Sequence, residues 1–420
     1  MISIKKQSDR KVENCRLCRG ALGPVALSLG EQPISNRLPR EAQAAPRYPL
    51  EVALCQSCGL VQLVHHIDAE EHFHDDYTYL SGASKTWIEH CAEYADDVSN
   101  KYGVAEGGLI VEIGSNDGTL LNALQKNNHR VLGVEPSSNV AGIANNNGAP
   151  TISAFFNHET AARIKAEHGA AKFVIGNNVL AHVPDTNEFL LAARDLIADD
   201  GVLCFEFPHF INIIDKMYFD TIYHEHYTYL GVGPLAYWAR HNGMNILGVD
   251  EQSTHGGTLR VLMKRGEMDL SDKVNAIIER EAALQNDEAW RGLAARLEDW
   301  RNRFRQIIEE RRSTGKRIAG YAAASKATVL LNYLGLSSDD IEYCCDASPL
   351  KQNRYIPGAN IPIVSPDRLK TDCPDAVIIF AWNIFDELRG IVSNMITKPV
   401  EIVNPFPDIE ISVASPETKP

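Results

Sequence analysis

The chain has 420 residues, 44% of them hydrophobic and 23% charged, enough to bury a sizeable core in two or three domains and too apolar for a disordered chain. Its 41 basic and 55 acidic side chains leave a formal charge of −14, which opposes binding to nucleic acid and anionic membranes but permits a local basic pocket for a phosphate. Apolar runs such as Ala376 to Trp382 fall far short of the roughly 20 residues a membrane helix needs, and the opening MISIKKQSDRKVENC carries no apolar signal core, so a cytoplasmic enzyme is the favoured class.

Four of the nine cysteines form two C-x-x-C pairs, Cys15/Cys18 and Cys55/Cys58. Two such knuckles give one zinc ion four thiolates in a tetrahedron. A disulfide framework suits a secreted chain, and a redox C-x-x-C leads a βαβ unit; neither context is present. Four protein ligands leave no open coordination position, so the expected zinc is structural. Cys91, Cys204, Cys344, Cys345 and Cys373 are scattered, several of them in apolar runs where they read as small core residues.

The first α/β unit starts at Leu109, where an apolar strand runs into Gly114-Ser-Asn-Asp-Gly118 and then a helix. A second strand, Arg130 to Val134, ends in Glu135, about twenty residues after Gly114, where an acid accepts hydrogen bonds from a ribose diol. The pattern Glu112-x-Gly114-x-x-x-Gly118 departs from the G-x-G-x-x-G of NAD enzymes and matches S-adenosylmethionine-dependent methyltransferases. A later strand, Lys172 to Asn178, brings Asn177, Asn178 and then His182 to the carboxyl edge of the sheet, where ligands of open α/β sheets bind.

Phe219 to Tyr229 is the densest run of histidine, tyrosine and acid. As a strand it would place Tyr223, Glu225 and Tyr227 on one face and His224 and His226 on the other; a loop could instead gather them around a substrate. Histidine next to a carboxylate suits a general base, and tyrosine hydroxyls can donate to a developing oxyanion. Asp76 to Ser84, also tyrosine-rich, is a candidate lid. From about Leu270 to Arg312, apolar positions at Leu293, Leu297, Trp300, Phe304 and Ile307 have helical spacing, which predicts an amphipathic connector with no chemistry.

A second α/β unit follows, with a strand at Lys316 to Tyr321, a small-residue loop Ala322 to Lys326, a helix from Ala327 and a strand Ile341 to Cys345 ending at Asp346. The loop reads as a phosphate cradle at a helix N-terminus, with Lys326, Lys351 and Arg354 adding charge. The strand from Asp375 delivers Trp382 and Asn383 to the same edge, and the tail beyond Phe406 is expected to fray. Alone, this half fits either an NAD domain or a purely structural Rossmann-like unit.

Together these motifs resemble the sugar C-methyltransferases, in particular the C-3′ methyltransferases of nucleotide-linked 4-keto-6-deoxy sugars. The resemblance rests on the cysteine knuckles and on VEIGSNDGTLL, NNVLAHV, DTIYHEH, THGGTLR (Thr254 to Arg260), GYAAASKATVLLNY and DASPLKQNRYIPG, and it spans nearly the whole chain. It implies an α/β protein of three domains: a zinc-binding domain (1–70), a Rossmann-like S-adenosylmethionine methyltransferase domain (71–285) and a Rossmann-like nucleotide-sugar domain (286–410), with the active site between the last two. By this likeness His226 is the base, Tyr223, His182 and Tyr77 stabilise the enolate, and Glu225 orients His226 or grips the sugar. Glu112, Gly114, Ser115, Asn116, Gly118, Glu135, Pro136, Asn177 and Asn178 hold the cofactor. Ser325, Lys326, Thr328, Asn332, Lys351, Arg354 and Trp382 hold the dTDP- or GDP-linked sugar, and Cys15, Cys18, Cys55 and Cys58 hold the zinc. The expected state is a monomer or weak homo-oligomer with neither nucleic acid nor membrane as partner.

Ala322-Ala-Ala-Ser325 replaces the glycine-richer loop expected in the family, which leaves base and sugar preference open. An O-methyltransferase is the alternative; an NAD-dependent oxidoreductase and a zinc scaffold with a vestigial fold are weaker ones.

Overall fold

The structure is a computed structural model that describes residues 9–68 and 80–416. The chain divides into two compact units, one of Met1–Pro24, Ala53–Phe210 and Tyr227–Gln285, the other of Val25–Val52, Ile211–His226 and Asn286–Pro420. Among the described residues no helix is long and apolar enough to cross a membrane.

The first unit is built on seven strands: β1 (Leu109–Ile113), β2 (Arg130–Glu135), β3 (Thr151–Ser153), β4 (Ala171–Asn177), β5 (Ile197–Pro208), β6 (Met244–Gln252) and β7 (Thr258–Arg265). Their order is β6-β7-β5-β4-β1-β2-β3. Strands β1 to β5 pair in parallel and β7 runs antiparallel between β5 and β6. The mainly apolar β1 and β4, broken by Glu112 in one and by Lys172 and Asn177 in the other, follow from burial on both faces, as parallel sheets covered by helices require. One face packs on the helix Lys85–Asn100 through Cys91, Tyr94 and Val98, the other on Thr186–Leu196 through Phe189 and Leu190. Cys15, Leu17, Cys55, Cys58 and Leu60 belong to that second core, so the cysteine knuckles are packed into this sheet's own hydrophobic interior.

The helix Val232–His241 starts at Gly231 without a side-chain cap of its own. Glu281, on the helix Asp272–Ala282, supplies one from a distance: its carboxylate accepts the N–H groups of Val232 (2.7 Å) and Gly233 (2.8 Å) and pairs with His209 Nε2 (2.7 Å). A Cβ on Gly231 would come 2.7 Å from that carboxylate, which explains the glycine.

The second unit carries another seven strands: β8 (Ile318–Tyr321), β9 (Cys344–Cys345), β10 (Arg354–Tyr355), β11 (Pro362–Val364), β12 (Ala376–Ile379), β13 (Val400–Asn404) and β14 (Glu410–Ala414), ordered β10-β11-β9-β8-β12-β13-β14. Three expectations are corrected here. The tail is ordered over Glu410–Ala414, where β14 forms a five-residue antiparallel ladder with β13, burying Ala414 while Ile411 and Val413 face out. The connector is two helices, Asp272–Ala282 and Asp287–Ser313, because Asn286 caps the second by accepting the Ala289 N–H at 3.0 Å. Its buried stripe ends on Ile308 rather than Ile307, with Trp300 stacked on Phe406 at 5.2 Å.

Candidate active site and zinc centre

The four cysteine Sγ atoms lie within 4.8 Å of one another, with Cys15–Cys58 at 3.6 Å and Cys18–Cys55 at 3.4 Å. A tetrahedral zinc with Zn–S bonds of about 2.3 Å has S···S edges near 3.8 Å, so the donor set fits the ion. Backbone N–H groups of Leu17, Cys18, Gly20, Ser57 and Cys58 point at these sulfurs at 3.4 to 3.5 Å, which stabilises thiolates. The positive φ of Arg19 (65°) and Gly59 (75°) closes the two knuckles. The first knuckle is tied to the loop after β4: Arg16 donates to the Pro184 carbonyl at 2.7 Å, Asn187 N–H donates to the Arg16 carbonyl at 3.1 Å, and Arg19 pairs with Asp185 at 2.6 Å. The second continues into Val61–Leu63, which pairs with Thr228–Tyr229 immediately beyond His226.

At the carboxyl edge of the first sheet, Gly114 has φ 66°, and a Cβ there would meet Val179 Cγ2 at 2.1 Å. Only glycine lets the β1 loop approach the Asn177–Val179 turn. Gly118, at φ 80°, presses on Ala149 in the same way, with a virtual Cβ at 2.4 Å. Gly114→Ala is therefore expected to weaken S-adenosylhomocysteine binding at least about tenfold, as titration calorimetry would measure, since a left-handed alanine alone costs about 1–2 kcal/mol. Unchanged affinity would mean that the loop can yield.

Glu112, Asp117 and Glu135 surround this loop, each at most 7% exposed. Burial, then the charges of Asp117 and Glu135, hold the Glu112 carboxyl well above the usual carboxylate range. Glu135 is raised too, chiefly by burial. Its oxygens accept the N–H groups of Ser137 (2.9 Å) and Asn116 (3.1 Å), and each retains a second lone pair for a ribose hydroxyl. Pro136 follows directly, half-buried. Buried and without a partner among the described residues are Glu112 Oε2, Ser115 Oγ, both amide atoms of Asn177 and Asn178 Oδ1. Buried orphans of this kind are costly unless a ligand satisfies them, and the excess of acid suits one bearing an ammonium and a sulfonium. The residues present fit S-adenosylmethionine. Asp117 was not legible as a site residue: its carboxylate accepts from Ser81 N–H's neighbour Gly82 (2.8 Å) and from the hydroxyls of Ser81 (2.9 Å) and Thr119 (2.6 Å), tying the segment before the first helix to the loop. Asn116 Oδ1 accepts the Ser81 N–H at 2.9 Å.

On the same face, Glu206 of β5 stands in register with Asn177 of β4 and Arg260 of β7. It is fully buried, paired with His90 Nε2 at 2.8 Å and Arg260 Nε at 2.9 Å. Those partners outweigh the burial that opposes them, so its pKa falls below the usual value. A depressed carboxylate stabilises the fold at neutral pH, and the benefit is lost as pH falls from the unfolded value of about 4.3 through the lower folded one. Arg260 is the motif arginine of THGGTLR, and its guanidinium lies 3.4 Å over the Tyr94 ring.

In the histidine-tyrosine run, residues 223–226 form a turn and only Thr228–Tyr229 a strand. His226 N–H donates to the Tyr223 carbonyl at 2.9 Å, closing a β-turn that puts residues 223 and 226 on one side and buries His224 and Glu225 between them. The strand alternation, which separated Tyr223 from His226, is thereby overturned. The Tyr223 hydroxyl lies 2.7 Å from His226 Nε2, and His226 Nδ1 lies 2.9 Å from the Thr221 carbonyl. A carbonyl only accepts, so Nδ1 carries the hydrogen and Nε2 is the basic nitrogen. Glu225 Oε2 accepts from Asn36 Nδ2 at 2.9 Å, and burial pushes its pKa up to about 7. It therefore contacts Asn36, with no hydrogen bond to His226. His182 ends a short 3-10 turn after β4, its N–H on the Val179 carbonyl at 2.8 Å. Tyr77 lies outside the described residues, as does the candidate lid at residues 76–79.

In the second unit Ser325 opens the helix Ser325–Leu334. Lys326 Nζ sits 4.1 Å over the Trp382 ring and donates to Asn383 Oδ1 at 3.0 Å. Burial lowers this ammonium to about 8 against the pull of Asp220. Trp382 stacks on Tyr218 at 3.8 Å and donates through Nε1 to Asp220 at 2.8 Å. The other candidate sugar ligands are engaged within the protein. Thr328 donates to the Ser35 carbonyl (3.2 Å), Asn332 accepts from Arg47 (2.8 Å), Arg354 donates to the Leu38 carbonyl (3.4 Å) and Lys351 donates to the Ala323 carbonyl (3.0 Å). Asp346, where a ribose acid stands in an NAD domain, accepts the N–H groups of Ala323 (2.8 Å) and Ser348 (2.9 Å).

The sheet order, the glycine loop against Asn177–Val179 and the unsatisfied polar atoms around it define a methyltransferase domain with S-adenosylmethionine as its cofactor. Family models agree: a methyltransferase domain matches residues 87–249, a zinc binding domain residues 15–73 and a C-methyltransferase C-terminal domain residues 253–407. The chain is 31% identical over 406 residues to the C-methyltransferase NovU of Streptomyces niveus, covering 95% of this chain and 96% of that protein. The chain belongs to this family of C-methyltransferases. Among solved structures it is similar to the magnesium protoporphyrin IX methyltransferase ChlM of Synechocystis PCC 6803 with bound SAM, at 15% identity, 43% and 79% coverage of the two chains and a TM-score of 0.32. It is also similar to the CcbJ methyltransferase of Streptomyces caelestis, at 12% identity, 42% and 90% coverage and a TM-score of 0.33.

Proposed function

We propose that the acceptor is a nucleotide-linked 4-keto-6-deoxy sugar, deprotonated at C-3′ and methylated there through its enolate, by an enzyme of the cytoplasm. The observation that carries the reading is the tautomer of His226, whose Nδ1–H is held by the Thr221 carbonyl so that Nε2 presents the lone pair. S-adenosylmethionine supplies an electrophilic methyl group to the carbon. Nε2 takes the C-3′ proton, and the electron pair of that C–H bond moves into the enolate whose charge rests on the C-4′ oxygen. The Tyr223 hydroxyl, already 2.7 Å from Nε2, turns its proton to that oxygen; His182 and Tyr77 are further candidate donors. Glu225, in its neutral form below about pH 7, grips the sugar by donation. Glu112, Gly114, Ser115, Asn116, Gly118, Glu135, Pro136, Asn177 and Asn178 bind the cofactor. Trp382, Ser325 and Lys326 receive the nucleotide, with the Lys326 ammonium for a phosphate and Trp382 holding that ammonium in place. The functional segments are residues 1–70, 71–285 and 286–410.

Methyl transfer to dTDP- and GDP-linked keto sugars and their 4-hydroxy counterparts, run in D₂O, tests this. A methyl on C-3′ of a keto sugar, absent with the 4-hydroxy counterpart, is the expected product. A methyl on oxygen, or neither transfer nor solvent deuterium at C-3′ with any keto sugar, would overturn the reading.

A further inference from the structure

The segment Val25–Val52 falls in sequence between the two cysteine knuckles, yet it packs with the second unit. The contacts are numerous and specific: Thr328 to the Ser35 carbonyl, Arg354 to the Leu38 carbonyl, Tyr355 N–H to the Pro39 carbonyl at 2.9 Å, and Arg47 to Asn332. Three side chains of the motifs GYAAASKATVLLNY and DASPLKQNRYIPG are thus spent on holding this segment. At its tip the segment reaches the histidine turn twice. Asn36 Nδ2 donates to Glu225 Oε2 at 2.9 Å, and the Tyr48 ring meets the His224 ring edge-on at 6.0 Å.

Glu225 is 1% exposed, and its second oxygen, Oε1, is buried with no partner among the described residues. A buried carboxyl with one oxygen held and the other unmet is costly by itself and is resolved by a ligand. Asn36 makes the two oxygens unequal, favouring the proton of a neutral Glu225 on Oε1. Its amide N–H can only donate, so Oε2 is engaged as the acceptor, which leaves Oε1 open to carry the proton of a neutral Glu225. The charged group that faces Glu225 from another element is Lys351; Asn36 and Tyr48 come from the segment, and His224 and His226 flank it in its own turn.

We propose that Val25–Val52 completes the acceptor site, with Asn36 the positioning residue that leaves Glu225 Oε1–H as a hydrogen-bond donor to an acceptor oxygen of the substrate. Asn36 acts through Glu225 and does not itself touch the reacting carbon. The inference rests on the proposed acceptor chemistry for its consequence in turnover, though the geometry is independent of which sugar is used.

Asn36→Ala and the isosteric Asn36→Asp separate this role from packing. Asp fills the same space but replaces the donor with an acceptor set against a carboxyl. Both variants are expected to lower kcat about 10- to 100-fold, with KM for S-adenosylmethionine unchanged and Asn36→Asp no better than Asn36→Ala. A space-filling role predicts the opposite ranking, and Asn36→Asp with wild-type kcat overturns the proposal. A second readout needs no turnover: the ¹³C carboxyl resonance of Glu225, assigned with Glu225→Gln, titrated in the full-length protein. Its midpoint is expected to rise by about one pH unit in Asn36→Asp, because two carboxyls then share one site. An unmoved midpoint would sink the assignment of Asn36 even if every sugar in the panel failed as substrate.

Discussion

Replacing His226 by alanine is expected to leave a folded protein that binds S-adenosylhomocysteine normally and transfers methyl groups about 10²- to 10⁴-fold more slowly. His226 is half-exposed and is hydrogen-bonded in its own turn to Tyr223 and the Thr221 carbonyl, so its loss leaves no deep cavity. The loss should fall on kcat, and the rate at which solvent deuterium enters C-3′ should fall with it, because both need the same proton to move. Tyr223→Phe gives a milder control: it removes the hydroxyl from Nε2 and keeps the ring that lies 4.0 Å from the imidazole. Turnover within threefold of wild type in His226→Ala would take the base role from this residue.

Loss of the zinc is the second large effect. Cys55→Ser, or prolonged treatment with a strong chelator, is expected to abolish cooperative unfolding of the first unit and methyl transfer together, with metal analysis showing less than one zinc per chain. Structural zinc contributes roughly 10–16 kcal/mol of apparent binding free energy in small domains, as large as the roughly 5–15 kcal/mol by which whole proteins are stable. The effect should spread because the knuckles are part of the methyltransferase core, through Cys15, Leu17 and Leu60 beside Leu180, Ala181 and Phe189. Arg16, Arg19 and Asn187 bind the first knuckle to the loop that follows His182. Val61–Leu63 binds the second to the strand that follows His226. A metal-free protein with an unchanged melting temperature and full activity would show the cysteine cluster to be dispensable.

The glycine loop was legible because chemistry forces it: Gly114 and Gly118 adopt positive φ under side chains that leave no room for a Cβ. The paired cysteines were legible because tetrahedral thiolate coordination constrains the spacing within each knuckle. The histidine turn was only half legible. Residue types announced a site, but period-two alternation joined Tyr223 to Glu225, whereas the β-turn joins Tyr223 to His226. Nothing local distinguishes a short polar strand from a turn when neither glycine nor proline marks it. The tail was misread for a related reason. Glu410–Ala414 is only five residues long, and it is ordered by backbone pairing to Val400–Asn404, a partner that lies outside the segment itself.

The amino-acid sequence by itself determined the class of protein, the metal-binding cysteines and the cofactor loop. These rest on short-range constraints, on spacing and dihedral freedom, which are properties of consecutive residues. Tertiary structure alone decided what each polar side chain is bonded to. Thr328, Asn332 and Arg354, expected to hold a ligand, are bonded to Ser35, Arg47 and Leu38; Asn36, in an unremarked stretch, holds Glu225. Asp117, His90 and Glu206 are likewise given their roles by partners from other elements. A hydrogen bond is satisfied by whichever donor the fold brings within about 3 Å, and residues far apart in the chain are brought there only by the packing of the hydrophobic cores.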